Sequence, residues 1–494
     1  MDNILNLIQS NRLEYHEKRN QLAYAAECSL PYPAISATAS KLLADGVLCD
    51  IFEGHAPYRP RYILPDYARY LKQGSEYLAI QPPTDLYEAV NALLILYRYV
   101  PSITSYPVYL GQVDELLEPF AASVSTNELD KLLRLFLVQI DRTLPDAFVH
   151  MNIGPRDTLI GRTLLRLEKE LKQAVPNLSL KYSSETPDEF ALLALDTALT
   201  VGKPYFVNHE ALSKEVDPDY GVASCYNTLL IGGGSHTLVR LNLKNLAASA
   251  ASLEDFLADK LPLAVRALAE VINAKADFLV EQSRFFETSF LAREGLVRLD
   301  RFTSMAGIFG LYECVAQLSD GQRLGSDDRA LELAETILSA TRRLLKEQPA
   351  SYCAGSGDAL AFHAQSGIDS DQDVTAGVRI RIGEEPDLIE QLRTAARLQP
   401  FFDAGASDIY LFDQTAQANL SGLLPLVKGA LREGVRIMAL NRQDGELVRI
   451  TGYLVKRCDI EKYFQGQPLR EDTVKLGAES VANNRILERR VRKL

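Results

Sequence analysis

The sequence predicts an α/β protein in which a mainly helical N-terminal region leads into a body of interleaved strands and helices. Three observations carry this. Ser125 and Glu128 have capping-box spacing just before Leu129, Leu132, Leu133, Phe136 and Ile140, an i, i+3, i+4 stripe that a helix turns to one side. From Pro204 onward, β-rich runs alternate with helical stretches and no linker intervenes, which favours one α/β body over separate beads. The length of 494 residues exceeds the ~100 to 200 expected per domain, so the chain holds either several cores or one large sheet or barrel.

In chain order, helices are expected over 84–98, 157–174 and 187–200 beside the capped helix after Ser125. Gln81-Pro82-Pro83-Thr84 and Val175-Pro176-Asn177 are the breaks between them. Pro204-Tyr205-Phe206-Val207-Asn208, Cys225 to Ile231, and Thr237-Leu238-Val239-Arg240-Leu241-Asn242-Leu243 read as buried strands and turns. A long helical region from Ser252 to Phe290 and a second after Asp327 follow, and Tyr352 to Gly377, rich in Gly, Ser and Asp, reads as loop. Alternation resumes at Val435 to Leu440, with a turn at Asp444-Gly445 and a β-rich run from Leu447 to Val455. No internal repeat is visible.

Composition narrows the class without naming a chemistry. Hydrophobic residues at 47% and charged residues at 24% exclude a disordered, collagen-like or coiled-coil chain. With 53 Lys plus Arg against 65 Asp plus Glu, the net charge of −12 opposes a broad nucleic-acid surface and leaves small molecules as the expected ligands. Asp2 stands where an export signal needs a cation, and Gln9, Ser10 and Asn11 soon break the apolar start, so no export is expected. Apolar runs such as Ala92 to Tyr97 fall far short of the roughly 18 residues of a membrane span. Cys28, Cys49, Cys225, Cys314, Cys353 and Cys458 show no CxxC spacing, which disfavours disulfides and a zinc site alike. Reduced thiols, a cytoplasmic location and no bound metal are expected.

Gly452 interrupts the run Val448-Arg449-Ile450-Thr451-Gly452-Tyr453. An arbitrary strand glycine marks a bulge or a close backbone approach. Here, however, the segment resembles the radical-site motif of glycyl radical enzymes, commonly an Arg-Val-x-Gly-Tyr-type sequence, with Ile450 in place of Val. A radical on Cα is stabilised jointly by the amide nitrogen and the carbonyl if the carbon can flatten, and only glycine lacks the Cβ that would clash with the flanking peptide planes. Ile450, Tyr453, Leu454 and Val455 are suited to shielding such a site from solvent.

The chain as a whole resembles the YjjI family of glycyl radical enzymes. The resemblance rests on Ala223-Ser224-Cys225-Tyr226-Asn227-Thr228-Leu229, on Ile231 to Leu243, on Gly307 to Glu313 and on the tail from Gly452 to Leu494. It implies a ten-stranded α/β barrel of two five-stranded halves, forming a single domain over 1–494. Residues 1–175 are its helical region, 176–430 the barrel core with the cysteine loop, and 431–494 the radical loop and tail. It implies that Gly452 stores the radical and that Cys225 is the thiyl-forming residue that takes hydrogen from a small polar substrate. Read alone, Cys225 is a buried small hydrophobe, as most free cysteines are. A separate radical S-adenosylmethionine activase carrying an iron–sulfur cluster would install the radical, with no cofactor bound to the chain itself. A homodimer is entertained as the assembly.

Departures from better-known relatives restrict the chemistry. Ser224 precedes Cys225 where pyruvate formate-lyase has a second cysteine, so a thioester-forming lyase is disfavoured. Asn227 stands where eliminases of the diol and choline type place a glutamate base, and an amide takes no proton near neutral pH. Gly307 to Glu313 matches a stretch of anaerobic ribonucleotide reductase, whose C-terminal zinc cysteines are missing here. Candidates for polar or substrate-binding work are Asn208, His209, Glu210, Asn227, His236, Glu313, Asp358 and His363, with Cys353 the second choice for a catalytic thiol. Cys314 is assigned to the core. The basic residues Arg485, Arg489, Arg490, Arg492 and Lys493 read as a solvated helix face. Rival readings are a conventional hydrolase or transferase using Cys225 with His236 or His209 as base, a ribonucleotide-reductase-like activity, and a binding protein without turnover.

Overall fold

The computed structural model describes residues 2–11, 13–50, 54–101, 108–144, 148–364, 371–467, 469 and 472–494. The predicted helices form where their caps and stripes place them. Thr126–Thr143 opens on a reciprocal capping box, Ser125 N–H donating to Glu128 at 2.9 Å, and buries Leu129, Leu133, Phe136 and Ile140. Leu86–Tyr97 starts at Asp85, whose carboxylate accepts from the Glu88 N–H at 2.8 Å. Leu159–Leu171 and Asp328–Lys346 follow the same logic from Thr158 and Asp327, whereas Asp188–Val201 starts after Pro187 without a side-chain cap. Among the described residues no helix is long and apolar enough to cross a membrane.

The strands in chain order are β1 (Leu48–Asp50), β2 (Tyr62–Leu64), β3 (Tyr109–Gln112), β4 (His150–Ile153), β5 (Asn177–Tyr182), β6 (Tyr205–Asn208), β7 (Tyr220–Ala223) and β8 (Asn227–Leu230). They continue with β9 (Gly233–Asn242), β10 (Phe302–Phe309), β11 (Ala361–Ala364), β12 (Asp408–Phe412), β13 (Ile437–Arg442), β14 (Leu447–Arg449), β15 (Leu454–Lys456) and β16 (Val491–Arg492). One sheet runs β16-β12-β13-β6-β5-β4-β3, with β3 to β6 parallel, an antiparallel seam between β6 and β13, and β12 and β16 parallel to β13. A second sheet runs β1-β9-β10-β11 with β2 also on β9, and its β9, β10 and β11 are parallel. The hairpins β7–β8 and β14–β15 stand apart from both.

Four sequence expectations change or gain detail here. The described strands do not close into a ring of ten. β11 bonds not to β12 but to the stretch ahead of it, through Ala364 N to Gly405 O at 3.0 Å and Ala404 N to Phe362 O at 2.9 Å. On β3, the Tyr109 carbonyl, on the side away from β4, accepts the Tyr67 hydroxyl, so a side chain takes a place a further strand would need. The expected loop from Tyr352 to Gly377 contains β11, and its residues 365–370 lie outside the described set. The basic tail is no solvated helix face, since Arg489 and Arg492 are buried and β16 joins the edge of the larger sheet. The segment 1–175, expected to be mainly helical, also supplies β1 to β4.

Two contacts place the β7–β8 hairpin between the sheets. The Asn152 side chain on β4 donates to Val222 O at 2.8 Å and accepts from Val222 N at 2.9 Å, imitating a strand neighbour. On the other side Thr228 N donates to Ala404 O at 3.1 Å. The tip of the hairpin is therefore fixed from both halves of the molecule.

Candidate active site

That tip is Ser224-Cys225-Tyr226, closed by the Ala223–Asn227 pair. Ser224 and Tyr226 have φ of 51° and 69°, left-handed values that cost a non-glycine residue about 1 kcal/mol each. Tertiary bonds hold the strained turn. His150 Nδ1 faces Ser224 O at 3.1 Å and its Nε2 faces Ser179 Oγ at 2.7 Å, so Nδ1 carries the proton and donates to the carbonyl. Burial keeps this imidazole neutral, pulling its pKa down to about 3. Tyr226 donates to Thr451 O at 2.6 Å and so ties the turn to the β14–β15 loop.

Gly452 sits in that loop, Ile450 to Tyr453, rather than within a continuous strand; Ile450 N bonds Tyr453 O at 3.0 Å across it. Its backbone is not left-handed, so conformation does not demand glycine there. Space does. A Cβ on Gly452 would stand 2.4 Å from Cys225 Cα, 2.7 Å from its Cβ and 2.8 Å from its Sγ. The Gly452 carbonyl accepts from the Tyr205 hydroxyl, which in turn accepts from Arg449, whose other nitrogen reaches Gly202 O. Arg489 donates to Arg449 O and Ile450 O at 3.0 Å each. Ile450, Tyr453 and Val455 pack with Cys225, Tyr205 and Tyr226 in one buried cluster.

Burial pushes the Cys225 thiol up to about 11, against the Ser224 side-chain hydrogen bond, the pull of the Arg61 and Arg379 charges and the Gly452 backbone. At neutral pH the sulfur therefore keeps its hydrogen. That suits hydrogen-atom exchange and opposes thiolate attack, which needs the deprotonated form. Each base of the hydrolase reading spends one ring nitrogen on a partner other than Cys225, and His236 keeps a buried Nδ1 without one. His236 on β9 faces Tyr352 O at 3.1 Å and stacks on Phe302, while His209 faces the Tyr220 hydroxyl at 3.2 Å.

The remaining candidates divide. Asn227, at the first residue of β8, donates to Ala223 O at 3.0 Å and leaves its buried Oδ1 unpartnered. His363 on β11 bonds Ala404 O at 2.8 Å through Nδ1 and leaves Nε2 unpartnered. Asn208 caps the helix His209–Glu215, bonding Ala211 N at 3.1 Å. Glu313 accepts from Thr375 N at 3.0 Å and from its hydroxyl at 2.6 Å, and Glu210 accepts from Ser184 N at 2.8 Å. Asp358 is in a left-handed turn beside Cys353, which is buried and bonds Ser351 O at 3.3 Å. Cys314 is buried in the core, as expected. Sequence reasoning passed over Tyr205, Arg449 and His150 and read Arg489 as part of a solvated face, where it is buried. Tyr205 and Arg449 lay inside quoted segments, whereas His150 carried no local signal.

A family model for "Glycyl radical enzyme YjjI-like" matches residues 13–492. The uncharacterized protein YjjI of Escherichia coli K12 is 43% identical over 492 residues, covering 98% of this chain and 95% of that protein. An uncharacterized protein of Haemophilus influenzae Rd is 37% identical over 504 residues, covering 100% and 98%. Among solved structures, an anaerobic ribonucleotide reductase superposes with a TM-score of 0.70 at 12% identity, covering 92% of this chain and 86% of that one. Hydroxyproline dehydratase of Clostridioides difficile gives 0.67 at 12% identity, covering 100% and 88%. The B12-independent glycerol dehydratase of Clostridium butyricum gives 0.66 at 11%, covering 96% and 84%. At such identities these structures speak for the fold alone.

Proposed function

The chain belongs to the family of YjjI-like glycyl radical enzymes, and from that premise we propose that Gly452 stores a Cα radical and Cys225 is the thiol it oxidises. One observation carries the reading: the space where a Gly452 side chain would sit is filled by Cys225, down to 2.8 Å from its sulfur. Hydrogen moves from Cys225 sulfur to the Gly452 Cα radical, leaving a thiyl radical. The thiyl takes a hydrogen atom from a small polar substrate, and the product radical takes it back from the thiol. No net oxidant is consumed in this cycle. A radical S-adenosylmethionine activase starts it by removing one hydrogen atom from Gly452. The chain acts as one glycyl radical unit in the cytoplasm. Asn227, His236 and His363, each with an unpartnered buried atom, are the candidate side chains free to bond a substrate. The protonated state of Cys225 favours this over a thiolate hydrolase.

The test is anaerobic activation followed by electron paramagnetic resonance. Wild type gives a glycyl doublet, Gly452→Ala gives none, and Cys225→Ala keeps the doublet but loses turnover in a metabolite screen. A normal doublet in Gly452→Ala removes the assignment.

A further inference from the structure

A cavity lies beside the radical loop, lined by Thr451 from that loop, Arg379 and Thr375 from the segment before β12, Asp408 at the start of β12, and Arg489 from the tail. Two of its polar side chains have atoms that nothing satisfies. Thr451 is 5% exposed and its Oγ1 has no hydrogen-bond partner. Arg379 spends Nε and Nη2 on Ser407, at 3.0 Å to its carbonyl and 2.9 Å to its hydroxyl, and leaves a buried Nη1 with none. A buried donor left unpaired on a charged group is costly, so such a site wants a ligand.

The other charges around the cavity are already engaged. Asp371 pairs with Arg240 at 2.6 Å, Arg485 pairs with Glu488, and Arg381 faces Glu384 at 3.9 Å and Asp373 at 4.0 Å. Glu385 accepts from Gly383 N at 2.7 Å and Arg490 N at 3.3 Å, and Asp408 accepts from Gln391 at 2.9 Å and from Ile409 N at 2.7 Å. Arg489 gives its nitrogens to Arg449 O and Ile450 O. Among the described residues Arg379 is the lining arginine with a buried nitrogen that lacks a hydrogen-bond partner, and it shares the cavity with the Asp408 carboxylate, whose charge it stabilises. A guanidinium in that condition matches an oxyanion, and a threonine hydroxyl can complete the contact.

We propose that this cavity binds a small oxyanion, carboxylate or phosphate, between Arg379 Nη1 and Thr451 Oγ1, and that the bound anion pins the radical loop to the body of the protein. Thr451 precedes Gly452 directly, and its carbonyl is already held by Tyr226, over whose ring the Arg379 guanidinium lies at 5.5 Å. An anion here therefore joins the loop to the segment before β12 through a contact the protein lacks by itself. Loop opening, and with it exposure of Gly452, is disfavoured while the anion is bound.

The experiment uses the unactivated full chain, so its outcome does not depend on the radical chemistry proposed above. Amide hydrogen exchange at Thr451 to Tyr453 is followed while inorganic phosphate or acetate is titrated at constant ionic strength against chloride. At ten times the dissociation constant, a ligand that binds only the closed loop slows exchange about tenfold. Protection by phosphate alone identifies a phosphate site, and protection by acetate identifies a carboxylate site. Arg379→Gln and Thr451→Val are each expected to abolish the protection, and Arg379→Lys to retain part of it. The valine variant keeps the size of the side chain and so separates binding from folding. Equal protection by chloride, no saturable protection by either oxyanion, or full protection in both Arg379→Gln and Thr451→Val overturns the proposal.

Discussion

The Tyr205 hydroxyl donates to the Gly452 carbonyl oxygen while accepting from the Arg449 guanidinium. A positive charge thus reaches the carbonyl through one phenol, and the carbonyl is the electron-withdrawing half of the pair that would stabilise a Cα radical. Tyr205→Phe is expected to lower the number of glycyl spins after activation and to cost about 1–2 kcal/mol of folding stability, the loss of a buried hydrogen bond. Spin quantitation and urea unfolding measure the two. An undiminished spin count would detach Tyr205 from the radical.

Gly452→Ala sets a methyl group against the Cys225 backbone and sulfur. Backbone lies closest, at 2.4 Å, so the clash is not relieved by a rotamer change. A stability loss of about 1–3 kcal/mol is expected, the usual range for overpacking. The urea midpoint reports it, and an unchanged midpoint would mean the two loops are not packed together in solution.

The thiols should differ in reactivity in air. Cys458 is exposed, whereas Cys225 is buried with its thiol pushed up to about 11. Iodoacetamide at pH 7.5 is expected to label Cys458 first and Cys225 only on unfolding, because the thiolate is the attacking form. Peptide mass spectrometry assigns the sites. Rapid labelling of Cys225 in the folded protein would instead support a thiolate enzyme.

His150 supplies a pH dependence. Its folded pKa, about 3, lies below the ordinary 6.5, so between these values the unfolded chain binds more protons and stability falls with falling pH. His150→Gln removes that dependence. The stability gap between wild type and variant is expected to narrow by about 2 kcal/mol from pH 7 to pH 5, at 1.4 kcal/mol per unit below the unfolded pKa. A gap independent of pH would show that His150 is hydrated in the folded protein.

Local signals in the sequence carried what is local in the structure. The capping box at Ser125, the stripe behind it and the strand-to-helix passage from Gly307 to Glu313 needed no tertiary information. The motif around Gly452 and the segment around Cys225 were legible as a resemblance, and their meeting is a consequence of it. The supports were not legible. His150, Arg449 and Arg489 act across 74, 247 and 40 residues of chain, and nothing in their neighbours in sequence marks the carbonyls they serve. The ring expected of the strands failed for a related reason, since Tyr67 intercepts the free Tyr109 carbonyl of β3 and sequence periodicity is blind to such interception.

The two left-handed residues beside Cys225 carry a cost that glycine would remove. Selection for thermostability alone should therefore drift toward glycine at position 224, because a relaxed turn raises the melting point, whereas Tyr226 is kept by its buried ring and its bond to Thr451 O. The same drift would loosen the aim of the sulfur. Heat tolerance and turnover would then move in opposite directions, making Ser224→Gly a measure of how much fold stability this chain gives up for the placement of a single atom.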